Sequence, residues 1–149
     1  MDEVNINGII LTPLKKIQHP RGDILHGIKK SDIGFEGFGE AYFSTIKGGQ
    51  MKGWNRHKRM TLNLVVPIGE VTFVIYDDRE KSSSKGRFSS IVLSPLNYKR
   101  LTVPPKLWLA FKGNGSNTSL ILNVASIEHD PNEIEKLDLD KIVYHWDPM

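Results

Sequence analysis

Cysteine is absent from the 149-residue chain, which excludes a disulfide scaffold, a thiolate metal site and a cysteine nucleophile together. Long apolar runs are missing too: no stretch approaches the roughly 20 apolar residues that a membrane-spanning helix needs. The first residues carry Asp2 and Glu3 and lack the basic segment and apolar core of a secretory signal. The expectation is a cytoplasmic protein with no membrane partner. Charge of one sign is also scarce, because the formal net charge of +3 comes from lysines and arginines interleaved with acids. Composition therefore predicts no nucleic-acid partner. A chain of this length is expected to form one domain over residues 1–149, burying roughly two thirds of the surface its unfolded form exposes.

What the chain does contain is a rhythm of short strands. Residues 9–14, 40–46, 61–66, 70–76, 90–93, 99–103, 107–112 and 119–126 are rich in β-branched and aromatic residues. Turn signals separate them at Pro67-Ile68-Gly69, Pro95-Leu96-Asn97, Pro104-Pro105 and Gly113-Asn114-Gly115. The Pro-Ile-Gly turn predicts that 61–66 and 70–76 are neighbouring strands. This spacing implies an all-β sandwich, jelly roll or barrel. Two stretches depart from it. Residues 78–86 are serine-rich and polar, hence a surface loop. Residues 132–140, with Asn132 or Asp130 as N-cap and Ile134 and Leu137 at i, i+3 spacing, predict a short helix near 132–137.

Basic residues crowd in one place only, Lys52-Gly53-Trp54-Asn55-Arg56-His57-Lys58-Arg59. Two readings stay open there: solvated charges on a strand and turn, or contacts to a phosphorylated ligand, for which two or three donors suffice. Side chains alternate along a strand, so Asn55 and His57 share one face and Trp54 takes the other.

Read in order, Gly22-Asp23, Lys52-Gly53-Trp54-Asn55-Arg56-His57-Lys58, Gly69, Asp77-Asp78-Arg79, the serines 82–84, Leu93-Ser94, Pro104-Pro105 and Pro131-Asn132-Glu133 form a skeleton that resembles the dTDP-4-dehydrorhamnose 3,5-epimerase family of cupin barrels. The strand around His57 is also similar to that of the related sugar-nucleotide 3,4-ketoisomerases, which carry Arg-Gly-x-His-x-His-Lys. The resemblance implies a cupin-type double-stranded β-helix, a jelly roll barrel, here with a short C-terminal helix. It implies a dTDP-linked keto sugar as ligand, surface polysaccharide biosynthesis as the setting, and a homodimer exchanging N-terminal strands, for which Ile9-Ile10-Leu11 is suited as an unpaired edge.

The departures bear on the chemistry. The family's leading histidine removes a proton beside the ketone, and here that place is Asn55, whose carboxamide has no basic lone pair. The family tyrosine that serves as opposing acid falls at about Leu122, the family lysine near Leu62, and the histidine after the Pro-Pro turn near Leu109. Of the general cupin metal set only His57 survives, so neither metal nor other cofactor is expected. The alternative the chain leaves open is a non-catalytic cupin that binds a sugar nucleotide or glycan.

For enolisation next to a carbonyl, the candidate base is His57 and the candidate acid Tyr76, with Tyr42 as the other choice. Candidate substrate-binding residues are Asn55, Lys58 and Asn63 for the enolate, Asn123 in an otherwise apolar strand, and Arg79 and Arg100, with Lys58, for phosphates at the rim. His57 and Asn123 have equally ordinary structural readings, as does Arg79 in a pair with Asp77. His129 belongs to the turn before Pro131, His26 and His145 have no partner at useful spacing, and Ser82-Ser83-Ser84 has no base in context.

Overall fold

The structure is a computed structural model and describes residues 4–146; Asp2 and Glu3 lie outside them. Twelve strands follow in order: β1 (Ile10–Pro13), β2 (Lys16–Ile17), β3 (Ile24–Leu25), β4 (Glu40–Ile46), β5 (Met51–His57), β6 (Leu62–Ile68), β7 (Val71–Tyr76), β8 (Phe88–Leu93), β9 (Lys99–Val103), β10 (Trp108–Gly113), β11 (Ser119–Ala125) and β12 (Ile134–Lys136). Two five-stranded antiparallel sheets, ordered β1-β9-β6-β11-β4 and β12-β5-β10-β7-β8, form the body, and β2-β3 is a small hairpin. Period-two alternation decides what lies between the sheets. Leu62, Leu64 and Val66 of β6 and Val71, Phe73 and Ile75 of β7 all enter one buried apolar core with Leu101, Val103, Leu109 and Ile121.

Two expectations are corrected. β6 and β7 are not neighbours: β6 pairs with β9 and β11, whereas β7 pairs with β8 and β10. The turn between them crosses from one sheet to the other, because each strand has an apolar inner face and the two faces bury each other across the core. Gly69 makes that corner possible, since its φ is +89° and a Cβ there would meet Ser119 Oγ at 2.1 Å. The helix near 132–137 is also absent. Asp130 Oδ1 does accept from the Asn132 amide at 2.9 Å, as a cap would, but after one turn the chain extends as β12 and pairs with β5, Ile134 opposite His57. The available edge of β5 and the inward pull on Glu133 outweigh three or four helical hydrogen bonds with no tertiary packing behind them. A short 3₁₀ turn follows at Leu139–Lys141.

Each sheet also has a covered outer face. On the first sheet, the segment 26–35 is pinned from beneath by Arg100, which donates to Gly27 O at 2.8 Å and Ile33 O at 3.1 Å. On the second, Ile142, Tyr144 and Trp146 pack over Trp54 and Trp108. The N-terminal segment is anchored within the chain, with Ile6 and Ile9 in the core and β1 paired with β9 on one side, and β1 forms the outer edge of its sheet among the described residues.

The serine loop is clasped rather than loose. Asp77, fully buried, accepts from Ser82 and Ser84 at 2.6 Å each and from Arg79 Nε at 2.9 Å. Burial by itself would raise this carboxyl, but the hydrogen bonds from Arg79, Ser82 and Ser84 outweigh it and hold Asp77 well below the usual carboxylate range. Unfolded, the same carboxyl takes a proton near pH 4. The unfolded state therefore binds more protons than the folded one below about pH 4, and stability is lost as pH falls through that window. Urea midpoints measured from pH 7 to pH 3 should drop below about pH 4, and Asp77→Asn should lower the midpoint at neutral pH while flattening the acid limb.

Candidate active site

A cavity of about 200 Å³ lies between the two sheets. Its floor is apolar, with Leu62, Leu64, Phe73, Leu107 and Leu109, and its polar lining comes from both walls. β5 supplies Lys52, Asn55 and His57; β4 and β11 supply Tyr42, Ser44 and Asn123 from the other sheet. Strict alternation would place Lys52 and Asn55 on opposite faces. A bulge in β5 corrects this: Leu109 pairs with Asn55 and Phe111 with Lys52, two residues against three. Gly53 lies in the bulge with φ +134°, and a Cβ there would come within 2.6 Å of Ala110 Cα. Trp54 turns to the outer face as alternation predicts, 1% exposed, with its indole N–H on Leu139 O at 3.3 Å.

His57 is the centre of the polar wall. Its Nδ1 is hydrogen-bonded to Glu133 Oε1, and its side chain is 13% exposed. The other carboxylate oxygen of Glu133 accepts from the backbone amides of Lys58, Arg59 and Met60 at 3.1, 3.0 and 3.2 Å. Burial would raise the Glu133 carboxyl, and the hydrogen bonds from His57 and from the Arg59 and Met60 amides overcome it, leaving the carboxyl below its ordinary value. An ionised carboxylate only accepts, so Nδ1 carries a proton, and Nε2 is the ring nitrogen left to act as a base. In the sequence Glu133 belongs to the Pro131-Asn132-Glu133 motif, which by itself gives it no partner. Its partner lies 76 residues away, and only the barrel closure brings them together.

Opposite, Tyr42 and Asn123 are directly paired across β4 and β11, and Asn123 Nδ2 donates to the Tyr42 hydroxyl at 3.0 Å. The inward residue of β11 is Asn123, not Leu122, which points to the outer face close to Gly27. A phenol thus enters the cavity from the neighbouring strand. Of the other replacements, Leu62 and Leu109 do lie in the lining.

The remaining site candidates are elsewhere. Tyr76 stands on the outer face of β7 and stacks on Phe88 with ring centroids 4.6 Å apart, so it cannot serve the cavity as acid. Asn63 also faces outward, donating to Gly34 O at 2.9 Å and accepting from Thr102 and Arg100. Arg100 is fully buried beside it, and burial lowers its pKa while Asp32 at 3.3 Å opposes that shift. Neither Asn63, the enolate candidate, nor Arg100, the phosphate candidate, lines the cavity, because both support segment 26–35. Arg79 is occupied by Asp77 and by Asn7 O at 2.8 Å, and with Lys58 it lines a separate outer groove. Alternation along β7 and β9 and the local clasp at Asp77 account for these placements; one-dimensional motif order carries no information on which face a residue takes.

Residues 7–139 match the FdtA family, described as WxcM-like, C-terminal. The chain belongs to that family. A solved structure of a dTDP sugar isomerase from Desulfovibrio desulfuricans G20 is similar to this member with 35% identity, 95% of this chain and 92% of that one covered, and a TM-score of 0.90. The barrel is accordingly the cupin-type all-β fold that the motif skeleton implied. The probable low-salt glycan biosynthesis epimerase Agl13 of Haloferax volcanii is 31% identical over 105 residues, which is 70% of this chain and 65% of that protein, just under two thirds of its length. The spore coat polysaccharide biosynthesis protein SpsL of Bacillus subtilis is 23% identical over 145 residues, covering 95% and 96% of the two chains. No helix among the described residues is long and apolar enough to cross a membrane.

Proposed function

We propose that this FdtA-family member is a cytoplasmic isomerase of a dTDP-linked 4-keto-6-deoxysugar, working as a 3,4-ketoisomerase or epimerase in surface polysaccharide biosynthesis and assembling as a homodimer. The observation that carries the reading is the His57–Glu133 pair in a cavity whose opposite wall presents the Tyr42 phenol. His57 Nε2 takes the proton from the carbon next to the ketone. The electron pair left behind forms the enolate, and Tyr42 O–H, with Asn55 beside His57, donates hydrogen bonds to the oxygen where that charge gathers. Return of a proton to the opposite face of the same carbon gives the epimer; its return to the former carbonyl carbon, with the neighbouring hydroxyl proton passing to the enolate oxygen, gives the ketoisomer, and neither involves a net change in oxidation. The apolar floor at Leu62, Leu64 and Leu109 suits a deoxy carbon, and Lys52 is the cation of the lining available to a phosphate. The similarity to proteins of glycan and spore coat polysaccharide biosynthesis supports the same setting.

Incubating the protein with a dTDP-4-keto-6-deoxysugar in deuterated water, followed by NMR, should show label at carbon three or five for an epimerase and at carbon four of the product for a 3,4-ketoisomerase. Absence of label with every such sugar, together with retained dTDP binding, would leave the non-catalytic binding role in its place.

A further inference from the structure

Asn123 is 4% exposed on a strand whose other inward residues are apolar or small. A buried amide in such a wall destabilises the fold unless both its ends are paired. One end is paired: Nδ2 donates to the Tyr42 oxygen. The other is not, for Asn123 Oδ1 is shut from solvent and has no partner among the described residues. The amide is therefore poorly explained as a device for stability, and its one hydrogen bond determines what Tyr42 does. A phenol that accepts from an amide N–H keeps its own proton free to donate. Had the side chain at position 123 offered only an acceptor, that proton would be drawn to β11 and away from the cavity.

We infer that Asn123 is the positioning residue of Tyr42: it occupies the phenol's acceptor lone pair and so directs the O–H at the ligand oxygen that gathers charge. This rests on the enolisation reading above. It assigns Asn123 an action through Tyr42 instead of a contact of its own with the sugar.

The test is a series at position 123 with Tyr42→Phe as reference, measured as kcat and KM for solvent deuterium entry into a dTDP-4-keto-6-deoxysugar. Asn123→Asp has the same shape but, ionised, can only accept, so it captures the phenol proton. Asn123→Leu removes the donor without offering an acceptor. The expected order of kcat is wild type, then Leu, then Asp, with Asp at least about tenfold down, a part of the roughly hundredfold or more that a positioned acid contributes, and KM little changed. In the Tyr42→Phe background, Asn123→Asp should cost no more than about twofold further, since residues acting as one unit are not additive. If Asp is the milder replacement, if the loss is in KM, or if the double variant multiplies the two losses, Asn123 packs or binds substrate and the inference is overturned. Should Asn123→Leu fail to fold, the isosteric Asp variant and the double variant still decide it. A wild type that exchanges no label sinks the enolisation reading and this role together, whereas an active wild type with additive variants sinks this role alone.

Discussion

Replacing His57 with Asn should slow deuterium entry into a dTDP-4-keto-6-deoxysugar by at least about a hundredfold, the lower end of what a positioned general base contributes. His57 is the histidine that lines the cavity, and its Nδ1 is committed to Glu133, which leaves Nε2 as the nitrogen that can take a proton. Asn55, one step along the same face, has no basic lone pair to substitute for it. Since Asn is close in size to the proximal part of the imidazole, dTDP binding should survive, and the loss should fall in kcat. Equal label entry in wild type and variant would remove His57 from the mechanism.

Glu133→Ala should produce the largest loss of stability of any single change at the site. The carboxylate is 3% exposed in its side chain and accepts from three backbone amides as well as from His57. Truncation strands those donors at the end of β5 and loosens the turn that starts β12. Each buried donor left without its acceptor costs about 1–3 kcal/mol, several are stranded at once, and for a chain of this size each kcal/mol lowers Tm by roughly 2–4 °C. Thermal unfolding should therefore come about 10 °C earlier, with catalysis reduced further because His57 loses its orientation. Glu133→Gln, which keeps one acceptor oxygen, should lie between. A Tm within about 2 °C of wild type for the Ala variant would show that water or a rearranged 58–60 segment satisfies these amides.

Much of the architecture was legible in one dimension. The β-branched and aromatic residues of Glu40–Ile46 and Lys99–Val103 marked strands with the boundaries found, because such side chains fit a pleated surface. The cupin skeleton was likewise visible, since turns constrain residue type locally: Gly69 stands where φ is positive. Asn55 and His57 were correctly placed on one face for the same local reason.

Other features depended on contacts between segments distant in sequence. Pro67-Ile68-Gly69 looks like a hairpin turn, yet whether two strands bond side by side or face each other across a core depends on which neighbours claim their edges, here β9 and β11 against β8 and β10. The cap at Asp130 is real, but the free edge of β5 made a strand of what followed. Arg100 and Asn63 carry the residue types of a binding site and serve as buried braces, because polar groups on an outer face are recruited by whichever loop covers it. The chain by itself determined the fold class, the face shared by Asn55 and His57, and the loss of the family's leading histidine. Only the tertiary structure decided that Glu133 orients His57 and that Tyr42, not Tyr76, faces it across the cavity, since hydrogen bonds between strands 76 and 81 residues apart exist only once the barrel closes.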